Sequence, residues 1–184
     1  MYAPTWEGFV EEANYSSVNA FGLQVLRKLS EQSSIRILFK PHPYTGYNKQ
    51  GDCGAYLEKM IALCREDNPL EYIDPNESIH PYMNQSDAMI TDISSVLNEY
   101  LYTLKPIFLM NAKGLSPEEL ISQFPSTQAA YVLGTECDIL KHIDSVELDD
   151  TGFRERERIG QLCFGSFSEG ALRRFLDVVE DSVR

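Results

Sequence analysis

Three short motifs hold most of the residues that could do chemistry. In "KPHP", Lys40 to Pro43, two prolines fix the backbone on either side of His42. An imidazole held so rigidly after an apolar run suits ligand contact, and Lys40 can balance a phosphate or carboxylate. An isolated histidine in a proline-rich turn could equally serve a neighbouring loop. Pro-His-Pro is a costly way to make a mere turn, which favours the functional reading. The second motif, "TDISSVLNEY", Thr91 to Tyr100, passes through Asp92 to Ser94 and Ser95 and into an amphipathic pattern. Serine is a favoured N-cap, worth about 0.5 to 2 kcal/mol over alanine. Only one residue can be the cap, and a second hydroxyl beside unpaired N–H groups makes an anion site. Asp92 disfavours direct anion contact, so its expected role is to brace the loop or bind a ligand hydroxyl.

The third motif is "CFGSFSEGALRRFLD", Cys163 to Asp177, where Gly165 and Gly170 frame a turn and Ser168 or Glu169 opens a helix. Arg173 and Arg174 fall one turn inside, either as solvated surface or with Arg173 reaching back to a phosphate. His80, in "NESIHPY" after the turn-forming Asn76, Glu77 and Ser78, is open to a structural and a functional reading alike. His142, in "LKHID", reads as solvated or as compensating a helix end. Three separated histidines give no chelating pair, and Cys53, Cys64, Cys137 and Cys163 form no Cys-x-x-Cys motif. Neither a metal, a disulfide framework nor any other cofactor is expected.

These residues need elements to position them. Short apolar runs at Ile35–Phe39, Leu70–Ile73, Ala88–Thr91, Pro106–Met110 and Ala129–Leu133 read as strands, and the initial "YAPTW" as another. Helical periodicity covers Val18–Gln32, Ala55–Glu66, Ile79–Gln85, Ser95–Leu104, Pro117–Gln123 and Glu169–Ser182. Alternating strands and helices imply an α/β fold, a doubly wound parallel sheet covered on both faces. Four strand ends would then converge on one edge: Thr5 with Trp6, "KPHP", Asp74 to Ser78, and Asp92 to Ser95. Ligands bind at that edge in such sheets.

Composition narrows the partners. The 184 residues suit one domain, and 28 acidic against 16 basic residues leave a net charge of −12. No basic patch is present, so nucleic acid is excluded as a partner, although one phosphate can still be held locally. The start, "MYAPTWEGFVEE", has no basic-then-apolar leader, and no run of about 18 apolar residues follows. Cytoplasmic residence is the expectation. "YAPTW" reads as a strand lacking a preceding partner, so the chain is expected to be a domain of a longer protein.

In order, "YAPTW", "KPHP", "TDISSVLNEY", "KPIF" at Lys105–Phe108 and "FSEGALRRF" at Phe167–Phe175 resemble the CDP-glycerol glycerophosphotransferase family, the teichoic acid primases and polymerases. The resemblance spans nearly the whole chain. Ile93 stands where an aromatic is frequent, and Ser168-Glu169-Gly170 stands for the usual Asp-Gly turn. By this resemblance the chain is the Rossmann-like C-terminal, donor-binding half of a two-domain GT-B enzyme. His42, Ser94 and Ser95 would contact donor phosphates, with Lys40 alongside, and His42 would be the catalytic residue, either protonating the departing CMP oxygen or only hydrogen-bonding it. Asp92 and Glu99 would lie near ribose or glycerol hydroxyls, and Thr5 and Arg173 would flank the pocket. The implied partners are CDP-glycerol and a cell-envelope polymer acceptor reached through the other domain, with peripheral association at the inner membrane face. Bacterial sialic acid transferases similarly pair His-Pro with Ser-Ser, so another cytidine-activated donor, CDP-ribitol or a CMP-sugar, is the alternative. A non-catalytic nucleotide-binding module is a third.

Overall fold

Tyr2, Ile90, Phe108 and Met110 point to one side of a sheet, and Ala3, Met89, Ile107 and Leu109 to the other. Both sides are buried, which is why the strands read as continuous apolar runs rather than alternating ones. The structure is a computed structural model that describes residues 1–48, 51–65, 69–165 and 170–182. Its strands are β1 (Tyr2–Ala3), β2 (Ile37–Phe39), β3 (Leu70–Tyr72), β4 (Met89–Thr91), β5 (Ile107–Met110) and β6 (Tyr131–Leu133). They form one six-stranded sheet in the order β3-β2-β1-β4-β5-β6, with every neighbouring pair parallel. This is the expected doubly wound α/β fold.

The chain begins mid-sheet, works outward to β3, and crosses back to lay β4 against β1, with Tyr2 opposite Ile90 and Ala3 opposite Thr91. Between β1 and β4 the strand order reverses, so the connections leaving them diverge and open a crevice. One face packs on α1 (Leu23–Ser30), α2 (Cys53–Arg65) and α6 (Ile139–Leu148) through Leu26, Leu29, Met60 and Ile139. The other packs on α3 (His80–Gln85), α4 (Ser95–Leu101), α5 (Pro117–Gln123) and α7 (Phe153–Phe164) through Met83, Leu97, Leu120 and Ile159. A last helix, α8 (Ala171–Ser182), follows.

Local chemistry sets the helix ends. Ser116 caps α5 in a reciprocal box with Glu119, and Pro117 takes the first turn of a helix whose span, Pro117–Gln123, is the one the sequence predicts. α1 is preceded by a π-helical turn, Val18–Gly22, so the predicted single helix starts in a different winding. α4 stops at Leu101, short of the predicted Leu104. The Thr103 hydroxyl donates to the Tyr100 carbonyl, and Leu104 adopts a left-handed φ of 58° that turns the chain into β5.

α6 and α7 lie where the sequence gives no predicted helix. The polar stretch that enters α7 hides its anchor, because Arg156 is fully buried and pairs with Asp150. Its Nε also donates to the Leu104 carbonyl at 3.0 Å, and its guanidinium lies 5.9 Å from the centre of the Tyr131 ring. A charged residue thus does the inward-facing work that periodicity assigns to apolar ones. Glu66 and Glu169, the predicted ends of two helices, lie outside the described residues, as does Ser168.

Candidate functional site

The connection from β1 to the π-helical turn lies across the carboxyl edge of the sheet, and three side chains from other segments or its own tie it down. Asp92, directly after β4, accepts hydrogen bonds at Oδ2 from Thr5 N–H (2.8 Å) and Ser17 N–H (3.1 Å). One carboxylate therefore holds both ends of the connection. Glu7, within it, is buried and accepts from Gly46 N–H (3.1 Å) and Asn48 N–H (2.9 Å) of the segment after β2. Lys113, after β5, donates from Nζ to the Glu11 carbonyl at 3.0 Å and to that of Glu12. Gly46 has a φ of +80°, and a Cβ there would come 2.8 Å from Gly54 Cα at the start of α2, so only glycine fits this turn.

Between the fixed segments lies a cleft of about 370 Å³, within the usual size for a small-molecule site. Thr5, Lys40, His42, Ser94 and Ser95 all line it, so the structure brings five of the sequence-selected residues to one place. Trp6 and Glu77 line it too. A larger groove of about 570 Å³ opens at the opposite end of the strands, against Leu29, Ile35, Ile90 and Phe108. It lies away from the polar strand ends.

His42 is half-buried, and Trp6 stacks on it with ring centres 6.0 Å apart and planes 16° from parallel. The Tyr44 N–H donates to its Nδ1 at 3.1 Å, and its carbonyl accepts from Thr45 N–H at 3.0 Å. Burial, then the charge of Lys40, pushes its pKa below the ordinary histidine value, with Glu7 opposing. Lys40 is itself buried, and its Nζ donates to the carbonyls of Asp74 (3.2 Å) and Pro75 (2.9 Å). Two of its three protons thus fasten the β3–α3 connection to the cleft wall. Burial also lowers its pKa, against the pull of Glu77 and Asp74.

Ser94 occupies the N-cap position of α4 with extended backbone, yet its hydroxyl makes no capping hydrogen bond. Its Oγ is buried and finds no hydrogen-bond partner among the described residues. Ser95 opens the helix and is exposed. A helix of seven residues has a short dipole, so the hydroxyls carry more of the site's polarity than the helix does. Asp92, directly after β4, is fully buried, and its pKa is pushed up to about 7 by burial against the hydrogen bonds from Ser17 and Thr5. Of the two sequence readings of Asp92, the observed contacts are those of a loop brace.

The other selected residues lie elsewhere. His80 Nε2 donates to Glu99 Oε2 at 3.1 Å, and its Nδ1 lies 3.2 Å from the Ser78 hydroxyl. Both side chains of this exposed pair sit off the cleft wall. Arg173 lies on α8 and pairs with Asp177 at 2.8 Å, apart from the cleft. His142 lies in the first turns of α6, bonded through Nδ1 to the Asp138 carbonyl at 2.9 Å. Among the described residues no group of three or more His, Cys, Asp or Glu side chains could hold a metal ion.

Glu7 and the Tyr44 amide belong to the site without a sequence signal of their own. Glu7 sits in an acidic surface-like string, and nothing in "WEGFVEE" marks it as the buried member. The Tyr44 contact is a backbone one, for which the only signal is the Pro43 turn after His42.

No curated protein matches the chain. Residues 1–171 match a family described as CDP-glycerol:poly(glycerophosphate) glycerophosphotransferase. With that match running through every strand and every cleft residue named above, the chain belongs to the CDP-glycerol:poly(glycerophosphate) glycerophosphotransferase family.

Proposed function

We propose that the cleft binds the diphosphate of CDP-glycerol and that the chain is the donor-holding half of a two-domain GT-B transferase. Its family is of the glycerophosphotransferase type. The observation that carries the reading is the buried Ser94 hydroxyl, which lacks a partner among the described residues and belongs to a residue that lines the cleft together with His42. A buried unpaired hydroxyl costs stability, and a phosphate oxygen would satisfy it. His42 supplies a second donor and Lys40 a positive charge from the wall.

In the proposed reaction an acceptor hydroxyl oxygen bonds to the β-phosphorus of CDP-glycerol. The bond from that phosphorus to the bridging oxygen breaks, CMP leaves with the electron pair, and a glycerol phosphate diester results. Positioning and charge stabilisation are the main help a protein can give such a transfer. The acceptor, a teichoic acid or related envelope polymer, and the base that takes its proton belong outside this cleft. We place the reaction at the inner face of the cell membrane, with attachment through other parts of the protein. No helix among the described residues is long and apolar enough to cross a membrane.

Titration calorimetry with CDP, CDP-glycerol and UDP-sugars tests this. Binding of the cytidine ligands, with UDP-sugars at least tenfold weaker, is the expected result (about 1.4 kcal/mol). Equal affinity for both nucleotides would overturn the cytidine reading.

A further inference from the structure

We infer that His42 acts as a neutral Nε2–H hydrogen-bond donor to a donor phosphate, its tautomer fixed by the Tyr44 amide, and not as a proton-transfer group. The inference rests on the cleft being the phosphate site. It follows from which ring nitrogen is already occupied. Tyr44 N–H donates to Nδ1, so Nδ1 must keep its lone pair and the neutral ring carries its proton on Nε2. A neutral ring in this tautomer has no free lone pair with which to take a proton from an acceptor hydroxyl. Protonating Nδ1 would set two N–H groups against each other.

The contact that fixes the tautomer is itself held. Pro41 and Pro43 restrict the backbone on both sides of His42, and Thr45 N–H closes a turn on the His42 carbonyl. The next residues, Gly46 and Asn48, donate to the buried Glu7 carboxylate. Trp6 lies near-parallel to one face of the ring, with ring centres 6.0 Å apart. Glu7 is thus a positioning residue for His42, two hydrogen bonds removed from the ring.

The charged groups around the ring agree with a neutral state. Lys40 on the same segment disfavours the imidazolium, as burial does, while Glu7 on the β1 connection works against them. Glu77, from the β3–α3 connection, lines the same cleft, and the α4 side lines it with the uncharged Ser94, Ser95 and Val96. The chemistry does not need an acid at this position either. A phosphate monoester has a second pKa of about 6, so CMP can depart as a dianion near neutral pH.

Two measurements on the full chain test the inference. Long-range proton–nitrogen NMR of the ¹⁵N-labelled protein at about pH 7.5, above the ordinary histidine range, is expected to show His42 with its proton on Nε2. A proton on Nδ1, or rapid averaging between the two, would overturn it. CDP titrations then compare His42→Gln, His42→Asn and His42→Ala, with melting curves confirming that each folds. The glutamine amide reaches the Nε2 place and the asparagine amide the Nδ1 place. Gln is expected to recover part of the affinity that Ala loses, about tenfold, while Asn recovers none. Equal losses in Gln and Asn, or wild-type CDP affinity that collapses as pH rises through about 6 to 8, would overturn the donor role. Absence of CDP binding to the wild-type chain would overturn the phosphate reading instead and leave the tautomer to be decided by the spectrum.

Discussion

Thr5 and Asp92 stand 87 residues apart in sequence and 2.8 Å apart in space, the Thr5 amide donating to the carboxylate across the crevice between β1 and β4. The same oxygen takes the Ser17 amide, so the connection over the site is held at both ends by one residue. Asp92→Ala leaves two amides short of a partner and is expected to lower stability by about 2 to 4 kcal/mol, read from urea melts. Asp92→Asn keeps an oxygen for both amides and is expected to fold as wild type.

The same pair of variants gives the pH dependence. Asp92 has a folded pKa of about 7, raised by burial, while in the unfolded chain it titrates in the ordinary carboxyl range. Between those values the folded state holds a proton that the unfolded state has lost. Asp92's contribution therefore falls as pH rises from about 4 to about 7 and is level above that. The asparagine side chain cannot ionise, so Asp92→Asn is expected to gain stability relative to wild type across that window. A constant difference between about pH 5 and pH 8 would show that Asp92 ionises normally.

Ser94 is the residue at which a cap and a ligand contact part company. Its hydroxyl makes no capping bond, so Ser94→Ala removes a buried unpaired group and is expected to leave the melting temperature unchanged or raise it. CDP affinity is expected to fall about tenfold, the loss of one charge-assisted hydrogen bond. A less stable variant with unchanged affinity would return Ser94 to the role of a cap.

The convergence of Thr5, "KPHP" and Asp92 to Ser95 is legible in the sequence because it follows from topology alone: parallel strands put their carboxyl ends on one edge. The roles within that edge are less legible. Lys40 looks like a free cation, but its Nζ is committed to two carbonyls, and no spacing rule reveals a side chain that bonds to backbone. Glu7 and Arg156 are hidden for a related reason. Each is a charged residue buried by its hydrogen bonds, and patterning by hydrophobicity reads charge as surface. The missed α7 is the consequence for the fold, and the Glu7 clamp is the consequence for the site.

Arg156 is expected to be the most sensitive charged position for stability. Arg156→Ala leaves Asp150 without its cation and the Leu104 carbonyl without its donor, for a loss of about 3 to 5 kcal/mol. Arg156→Met, which fills the space without a charge, is expected to lose less than half of that, since Nη1 has no partner among the described residues. Chemical denaturation of both variants reads the difference. Equal losses would mean that the ion pair, rather than the packing, anchors α7.

The chain has one tryptophan, and it lies in the cleft wall against His42. Trp6 also packs edge-on against Phe9 at 4.8 Å and Tyr44 at 5.6 Å, so its ring is held by both connections that Glu7 ties together. Its fluorescence is therefore a reporter of the site that needs no label. A nucleotide diphosphate entering the cleft displaces water from the ring's open side and is expected to change emission intensity with the same affinity that calorimetry gives. Glu7→Gln keeps the shape of the clamp but removes its charge, weakening both amide bonds. It is expected to shift the emission toward that of exposed tryptophan before any ligand is added, and to weaken CDP binding several-fold. If the emission stays at the wild-type position while affinity falls, Glu7 acts on the ligand by charge and not by holding the wall.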